Sequence, residues 1–259
     1  MPAPSSSTDD LGLFLERAVL PKGWRVLYEP TVTSTNDLAR EAARRGWPDR
    51  SVFVADYQTA GRGRHGRTWT APPRTGLLMS VLLRHYGGAP HYYTMLTSVG
   101  VCQAIERLLG LEPAIKWPND VMIDERKVAG VLAEATDDGA EAVVIVGVGI
   151  NVDLDAESLA RLPDATTLTR AAGHRVHRGE LLVVVLECLD AWLALGRGTL
   201  ATVWPAWSDR LWGQNQEIRL REGAELVEGV ILGGAPDGTL RIATPEGVER
   251  RIVAGEILP

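Results

Sequence analysis

Cysteine and lysine are both scarce in this chain: 259 residues hold two of the first and three of the second. Cys102 and Cys188 each fall in a helical-looking apolar stretch, and both are read as reduced core residues. Excess positive charge is missing too. The net charge is −6, which argues against a general nucleic-acid binder held by phosphate contacts. No apolar run reaches the ~20 residues of a membrane helix. The opening MPAPSSSTDD lacks the basic-then-apolar order of a secretory signal. Together these absences lead us to expect a cytoplasmic protein. His65, His85, His91, His174 and His177 show no metal-ligand spacing with Cys or carboxylates. A GxSxG elbow and a Cys–His nucleophile pair are also lacking, so covalent enzyme catalysis is not indicated. With 45% apolar and 23% charged residues, the length suits one large domain, alone or with a small one.

One further absence is local. Between Asp56 and Glu106 there is no Asp or Glu, yet Arg62, Arg64, Arg67, Arg74 and Arg84 all lie there. An acidic protein with one cationic segment suggests a small, multiply charged anion as ligand; a basic surface patch is the plainer alternative. Two of the three lysines, Lys116 and Lys127, share another short segment. An ammonium is a compact charge that can follow a moving anion, whereas a guanidinium is a fixed fork.

The pattern of elements is mixed. Residues 1–10 look unstructured, and Leu11–Leu20 predicts a short helix capped by Asp9 or Asp10. Strands are expected at Trp24–Tyr28, Val52–Tyr57, Leu77–Leu83 and, almost wholly apolar and so central, Val143–Asn151. Ala114–Glu134 reads as short strands with turns at Pro118–Asp120 and Asp124–Arg126. Helices are expected at Asn36–Arg45 (capped by Ser34 or Thr35, ended by Gly46), Tyr92–Leu109 and Arg178–Leu195, with a shorter one at Leu200–Arg210 interrupted by Pro205. After Trp212, short strands separated by Gly-rich turns suggest a small barrel.

Three segments carry candidate chemistry. GRGRHGR, 61–67, alternates glycines, which admit φ > 0 and close approach, with arginines suited to carboxylate or phosphate. It opens no helix and lacks a GK[ST] ending, so it is neither a dinucleotide fingerprint nor a P-loop. A mobile RNA-like basic loop is the alternative, although only Trp69 lies nearby to stack on a base. Trp69 either stacks on a planar ligand or anchors the loop to the core. KWPNDVMIDERKVAG, 116–130, holds the lysine pair. Asn119 and Asp120 are common turn residues, but Asp120 also suits Mg²⁺ or a ligand hydroxyl, and Lys116 a phosphate. Gly130 removes a side chain where a ligand or backbone can approach. VGVGIN, 146–151, places two glycines and Asn151 at a strand end, for ligand approach or for tight packing.

STND (34–37), YQTAGRGRHGRTW (57–69), KWPNDV (116–121), KVAGVL (127–132) and GVGIN (147–151) stand in the order and spacing of the biotin–protein ligases, and the chain resembles that family over about residues 25–259. The resemblance implies an α+β protein: a mixed-sheet catalytic domain like that of class II aminoacyl-tRNA synthetases and lipoate ligases, at 25–211, preceded by an extension at 1–24. An SH3-like β-barrel follows at 212–259. It implies that biotin and ATP give biotinyl-5′-AMP, whose biotin passes to a lysine of the biotin carrier domain of a carboxylase. Implied biotin contacts are Ser34, Thr35, Asn36, Gln58, Gly61, Arg62, Arg64, Lys127, Gly130, Val131 and Leu132. Implied ATP contacts are Arg62, Arg64, Trp69, Lys116, Asn119, Asp120, Lys127 and Asn151. Lys127 and Arg64 are the implied catalytic pair, and Asp120 the implied Mg²⁺ ligand. His65 departs from members with another Arg there. About 25 residues precede the catalytic region, too few for a helix-turn-helix module, so no DNA is expected as partner; a monomer or a homodimer is. A lipoate ligase and a sensor that forms the adenylate without transferring it are the competing expectations.

Overall fold

The computed structural model describes residues 10–84, 90–137, 142–195 and 200–258. The expected unstructured start, the alternative cap Asp9 and His85 lie outside them. Among the described residues a seven-stranded mixed sheet is followed by a five-stranded antiparallel one.

The large sheet runs in the order β1 (Arg25–Val32), β2 (Ser51–Gln58), β3 (Gly76–Arg84), β7 (Ala142–Asn151), β6 (Arg126–Asp137), β5 (Asp120–Ile123), β4 (Ala114–Lys116). Only β1 and β2 are parallel. The apolar β7 is central, as its sequence predicts, with β3 and β6 on either side. α3 (Pro90–Leu109) and α6 (Arg178–Ala194) pack over one face and close the main core. α2 (Thr35–Arg44) covers part of the other, burying Ala39, Ala42 and Ala43 against Phe53, Leu82, Val143 and Ile145. Beyond the N-terminal start of α2 no helix among the described residues lies over this second face. That uncovered stretch positions the site.

α2 begins where Ser34 Oγ accepts a hydrogen bond from the Asn36 amide, and ends before Gly46, whose φ is +72°. Arg84, one of the five arginines of the acid-free stretch, is buried and donates to the carbonyls of Ala43 and Trp47 at the end of α2. Arg74 is also structural. Its Nε donates to Asp56 (3.2 Å), which accepts from the Tyr28 hydroxyl (2.7 Å) and from the fully buried Arg178 (2.7 Å). Burial and the bond to Asp56 push the Tyr28 phenol up to about 12. This cluster ties both ends of the loop 59–75, since Asp56 precedes it and Arg74 closes it.

α1 (Leu11–Leu15), capped by Asp10, stops short of the expected Leu20. α4 (Ala156–Ala160) and α5 (Leu168–Ala172), capped by Asp155 and Thr167, are short helices that no periodicity announced. α7 (Leu200–Ser208) runs through Pro205 rather than breaking at it, held by the buried Val203 and Trp207. Cys102 is buried as expected, whereas Cys188 is only partly so; both are free.

The second sheet has the order β11 (Glu249–Ile252), β10 (Leu240–Ala243), β9 (Glu225–Gly234), β8 (Glu217–Glu222), β12 (Glu256–Ile257), and is compatible with an SH3-like barrel. It docks on α7, where a Cβ on Gly234 would stand 2.1 Å from the Trp207 ring. The Trp204 indole N–H donates to the Gly234 carbonyl at 3.1 Å.

Asp56 carries a definite expectation for stability. Replacing it by Ala leaves the Arg178 guanidinium buried without its carboxylate, at a cost of about 3–5 kcal/mol. Urea unfolding of Asp56→Ala should show that loss at unchanged slope.

Candidate active site

Side chains alternate between the faces of a sheet, so register decides which become neighbours. On the face that α2 leaves uncovered, Gly130 of β6 stands beside Gly149 of β7 on one side and Asp120 of β5 on the other. Asp120 in turn pairs with Lys116 of β4. One row across the sheet thus holds two adjacent glycines, a carboxylate and an ammonium. In the next row Gly147 lies between Ser80 and Leu132. The glycines make a shallow window. The Trp69 indole lies on it: a Cβ on Gly149 would stand 2.4 Å from the ring, and one on Gly130 3.1 Å. Of the two readings for Trp69, anchorage of the loop is what the packing gives. Its Nε1 is buried and without a partner among the described residues.

Lys127 reaches this face through a bulge. The β5–β6 ladder steps from Val121↔Ala129 to Met122↔Lys127 and skips Val128. By strict alternation from Gly130, residue 127 would face the opposite side. The extra residue reverses the alternation, sinking Val128 into the core and turning Lys127 toward the window. Lys127 Nζ lies 3.4 Å from where a Gly130 Cβ would be, 5.4 Å from the Trp69 ring centre and 2.7 Å from Asp120 Oδ1. Its backbone is fixed by the segment after α4: Lys127 N donates to Asp164 O (2.7 Å), and Thr166 N to Lys127 O (2.9 Å).

The cationic loop is a small hairpin. Trp69 N donates to Gly61 O (3.0 Å) and Gly63 N to Arg67 O (2.7 Å). His65 and Gly66, at φ +54° and +74°, make the turn. Gly61 is required by contact, because a Cβ there would stand 2.3 Å from the Trp69 carbonyl. Each leg of the hairpin is tied by a carboxylate: Arg62 to Asp37 of α2, Arg67 to Glu256 of β12. Arg64, at the turn, differs. It is half-buried, and its one hydrogen bond among the described residues is a long one, 3.4 Å to Asn119 Oδ1. Burial pulls its pKa down, while the charges of Asp120 and Glu256 oppose that. A guanidinium partly withdrawn from water without a close carboxylate is suited to an incoming anion.

The floor beside α2 is polar. Gln58 Oε1 accepts from the Thr35 amide (2.7 Å) and hydroxyl (3.0 Å), and Ser80 Oγ lies 2.7 Å from Thr35 Oγ1. Asn36 is buried against Gly147, where a Cβ would stand 2.4 Å from Asn36 Oδ1.

Loop, window, floor and the segment after α4 enclose a cavity of about 430 Å³. Its wall includes Ser34, Thr35, Asn36, Gln58, Arg62, Arg64, Trp69, Lys116, Asn119, Asp120, Lys127, Gly130, Val131 and Leu132, all singled out from the sequence. Two such residues are not on it. Asn151 is buried at the end of β7 opposite Gly76, and Gly61 is buried beneath the loop against the Trp69 carbonyl and the Gln58 side chain. Sequence reasoning missed Arg161–Ala165 and Glu256–Ile257, which wall the cavity from remote segments. Gly147 and Gly149 carried a signal in VGVGIN; Glu256 carried none. Among the described residues no group of three or more His, Cys, Asp or Glu could hold a metal. Asp120, the expected Mg²⁺ ligand, faces the Lys127 ammonium. This donor set does not fit a protein-held Mg²⁺.

The sequence profile of the Biotin/lipoate A/B protein ligase family matches residues 28–151. A bifunctional ligase/repressor BirA from Bacillus spizizenii is 33% identical over 239 residues, covering 88% of this chain and 72% of that protein. A biotin–[acetyl-CoA-carboxylase] ligase of Mycobacterium tuberculosis is 40% identical over 177 residues, 65% of this chain and 64% of that protein. The solved structure of a biotin protein ligase from Aquifex aeolicus in complex with biotin and ATP is similar at TM-score 0.78 and 30% identity, covering 90% of this chain and 97% of that one.

The glycine window yields a test. Gly149→Ala should cost about 1–3 kcal/mol, because the methyl displaces the Trp69 ring. In a Trp69→Ala background most of that cost should vanish, which a double-mutant cycle by chemical denaturation measures.

Proposed function

This chain belongs to the biotin/lipoate A/B protein ligase family, and within it we propose that it is a biotin–protein ligase. It condenses biotin with ATP to biotinyl-5′-AMP and pyrophosphate, then passes biotin to a lysine of the carrier domain of a carboxylase. The observation that carries the reading is the pairing of Arg64 and Lys127 over one glycine window: a guanidinium without a close carboxylate facing a cavity that an ammonium also enters.

In the first step the biotin carboxylate attacks the α-phosphorus of ATP. An acyl–phosphate bond forms, and the bond to pyrophosphate breaks. Two anions must meet, and fixed cations offset their repulsion and the charge that builds between them. Arg62 and Arg64 hold the anions from the loop side. Lys127 spans the biotin carboxylate and the α-phosphate from the sheet side. Thr35 and Gln58, with Ser34 and Asn36, offer the hydrogen bonds for the ureido ring, and Gly130, Val131 and Leu132 wall the apolar part. Trp69 borders the adenine with its ring, and Lys116 and Asn119 serve the phosphates and the base. Any Mg²⁺ would arrive with the ATP substrate and offset part of its phosphate charge, with no ligand set supplied by the described residues of this chain. In the second step the carrier lysine's amine attacks the acyl carbon, AMP leaves, and an amide remains. The loop, lying over the adenylate, keeps out water that would hydrolyse it. ATP dependence and two free thiols suit the cytoplasm.

Biotin-dependent ATP–pyrophosphate exchange tests the reading. The wild type should exchange with biotin and not with lipoate. Lys127→Ala should lose at least a hundredfold in exchange rate, because neither Lys22 nor Lys116 can replace it there. Near-normal exchange by that variant overturns the assignment of Lys127. Exchange without labelling of an added carrier domain would leave a sensor in place of a ligase.

A further inference from the structure

We infer that Asp37 is a positioning residue: it holds the cationic loop over the cavity and couples it to the cavity floor. The inference rests on the reading of that loop as the anion site. Its physical basis is one continuous chain of polar contacts through Asp37, Arg40 and Glu134, which the mechanism above does not use.

The chain starts at Arg62, whose guanidinium donates to Asp37 Oδ1. Arg40 Nη1 donates to the same oxygen at 3.0 Å, and Arg40 Nη2 reaches Glu134 Oε2 of β6 at 3.3 Å. Asn36 Nδ2 donates to that Glu134 oxygen at 2.7 Å. Asn36 Oδ1 accepts from Ser80 Oγ at 2.5 Å, which leads to Thr35 and Gln58 on the floor. The run from Arg62 to Glu134 pairs two carboxylates with two guanidinium groups, so it is neutral while the anion site is empty. Its charged members are only 22–38% exposed, which screens them less than a surface pair.

Helix α2 makes the chain stiff. Its first turn carries the floor residues Thr35 and Asn36 and, next to them, Asp37, where the helix N-terminus favours a carboxylate. Loop and floor are therefore referred to one rigid element. A guanidinium has five N–H donors, and Asp37 does not use them all. Arg62 can keep its tether and still bind an anion. The loop is thus ordered before the substrate arrives, and binding is spared that cost. Removing the carboxylate should weaken binding more than it slows the chemical step.

Trypsin provides a direct readout, since it must take an arginine side chain of the loop into its own pocket. Slow cleavage of a folded protein tracks how often the segment opens. In the ligand-free protein, the bonds after Arg62, Arg64 and Arg67 should be cut about fivefold faster in Asp37→Asn than in the wild type. That is the size a partly exposed ion pair supports. Saturating biotin and ATP should remove most of the difference. In pyrophosphate exchange the variant's KM for biotin should rise about fivefold with kcat within twofold, and Asp37→Glu should restore both readouts to within about twofold. Equal loop cleavage in Asp37→Asn and wild type overturns the inference, whatever the activity. So does faster cleavage spread along the whole chain, which would mean that α2 itself has frayed. A wild type that performs no exchange at all, with loop cleavage still dependent on Asp37, would instead overturn the ligase reading and leave the tether standing.

Discussion

An indole laid over two glycines of neighbouring strands fixes where everything else in the site can be. Trp69 rests on Gly130 and Gly149, which face each other directly in the β6–β7 ladder. Any side chain at either position would lift the ring, and with it the hairpin that precedes it. The glycines therefore cost the sheet two side chains and return a fixed distance between a loop and a β-sheet. The loop's cations and the lysine on the sheet gain a common reference through this contact. Mutual placement is what a reaction between two anions needs most.

The electrostatic design follows from register. Alternation along β6 would leave Lys127 on the core face, where an unpaired ammonium is costly. The bulge at Val128 exchanges the two residues' fates, giving the core a valine and the cavity a lysine. The same row brings Asp120 and Lys116 alongside. Asp120 holds the Lys127 ammonium while the cavity is empty. A flexible, compact charge can leave such a partner for a better one, as a bidentate guanidinium pair does less readily.

The fold was legible where periodicity is strong. The apolar run of β7, the cap at Ser34 and the Gly-rich turns after Trp212 each specify their element locally. α4 and α5 were not legible, because helices of five residues show barely one turn of pattern. Pro205 misled for the opposite reason: a local rule against proline in helices was overruled by the burial of Val203 and Trp207. Within the site, residues in compact motifs were found and those held by long-range pairing were not. The acid-free stretch pointed to five arginines as one group. Two of them, Arg74 and Arg84, spend their charge on Asp56 and on the end of α2. Composition counts charges but does not say where their partners sit. Glu256 and Asp164 stand on the cavity wall through tertiary placement alone, and no spacing in the sequence reports that.

The three loop arginines then divide the work by position. Arg62 and Arg67 flank the hairpin, and each finds a carboxylate on a different element, one on α2 and one on the last strand of the chain. Two tethers on opposite legs restrain both tilt and slide, which one tether cannot do. Arg64 sits between them, at the turn, where backbone geometry rather than a salt bridge sets its direction. A close carboxylate at Arg64 would compete with any incoming anion and weaken its binding. Leaving it without one raises the cost of its partial burial, and the tethered legs and the Trp69 contact offset that cost. The hairpin thus keeps a central cation poorly satisfied by satisfying its neighbours, and the loop's capacity for anions depends on residues, Asp37 and Glu256, that lie outside its own motif.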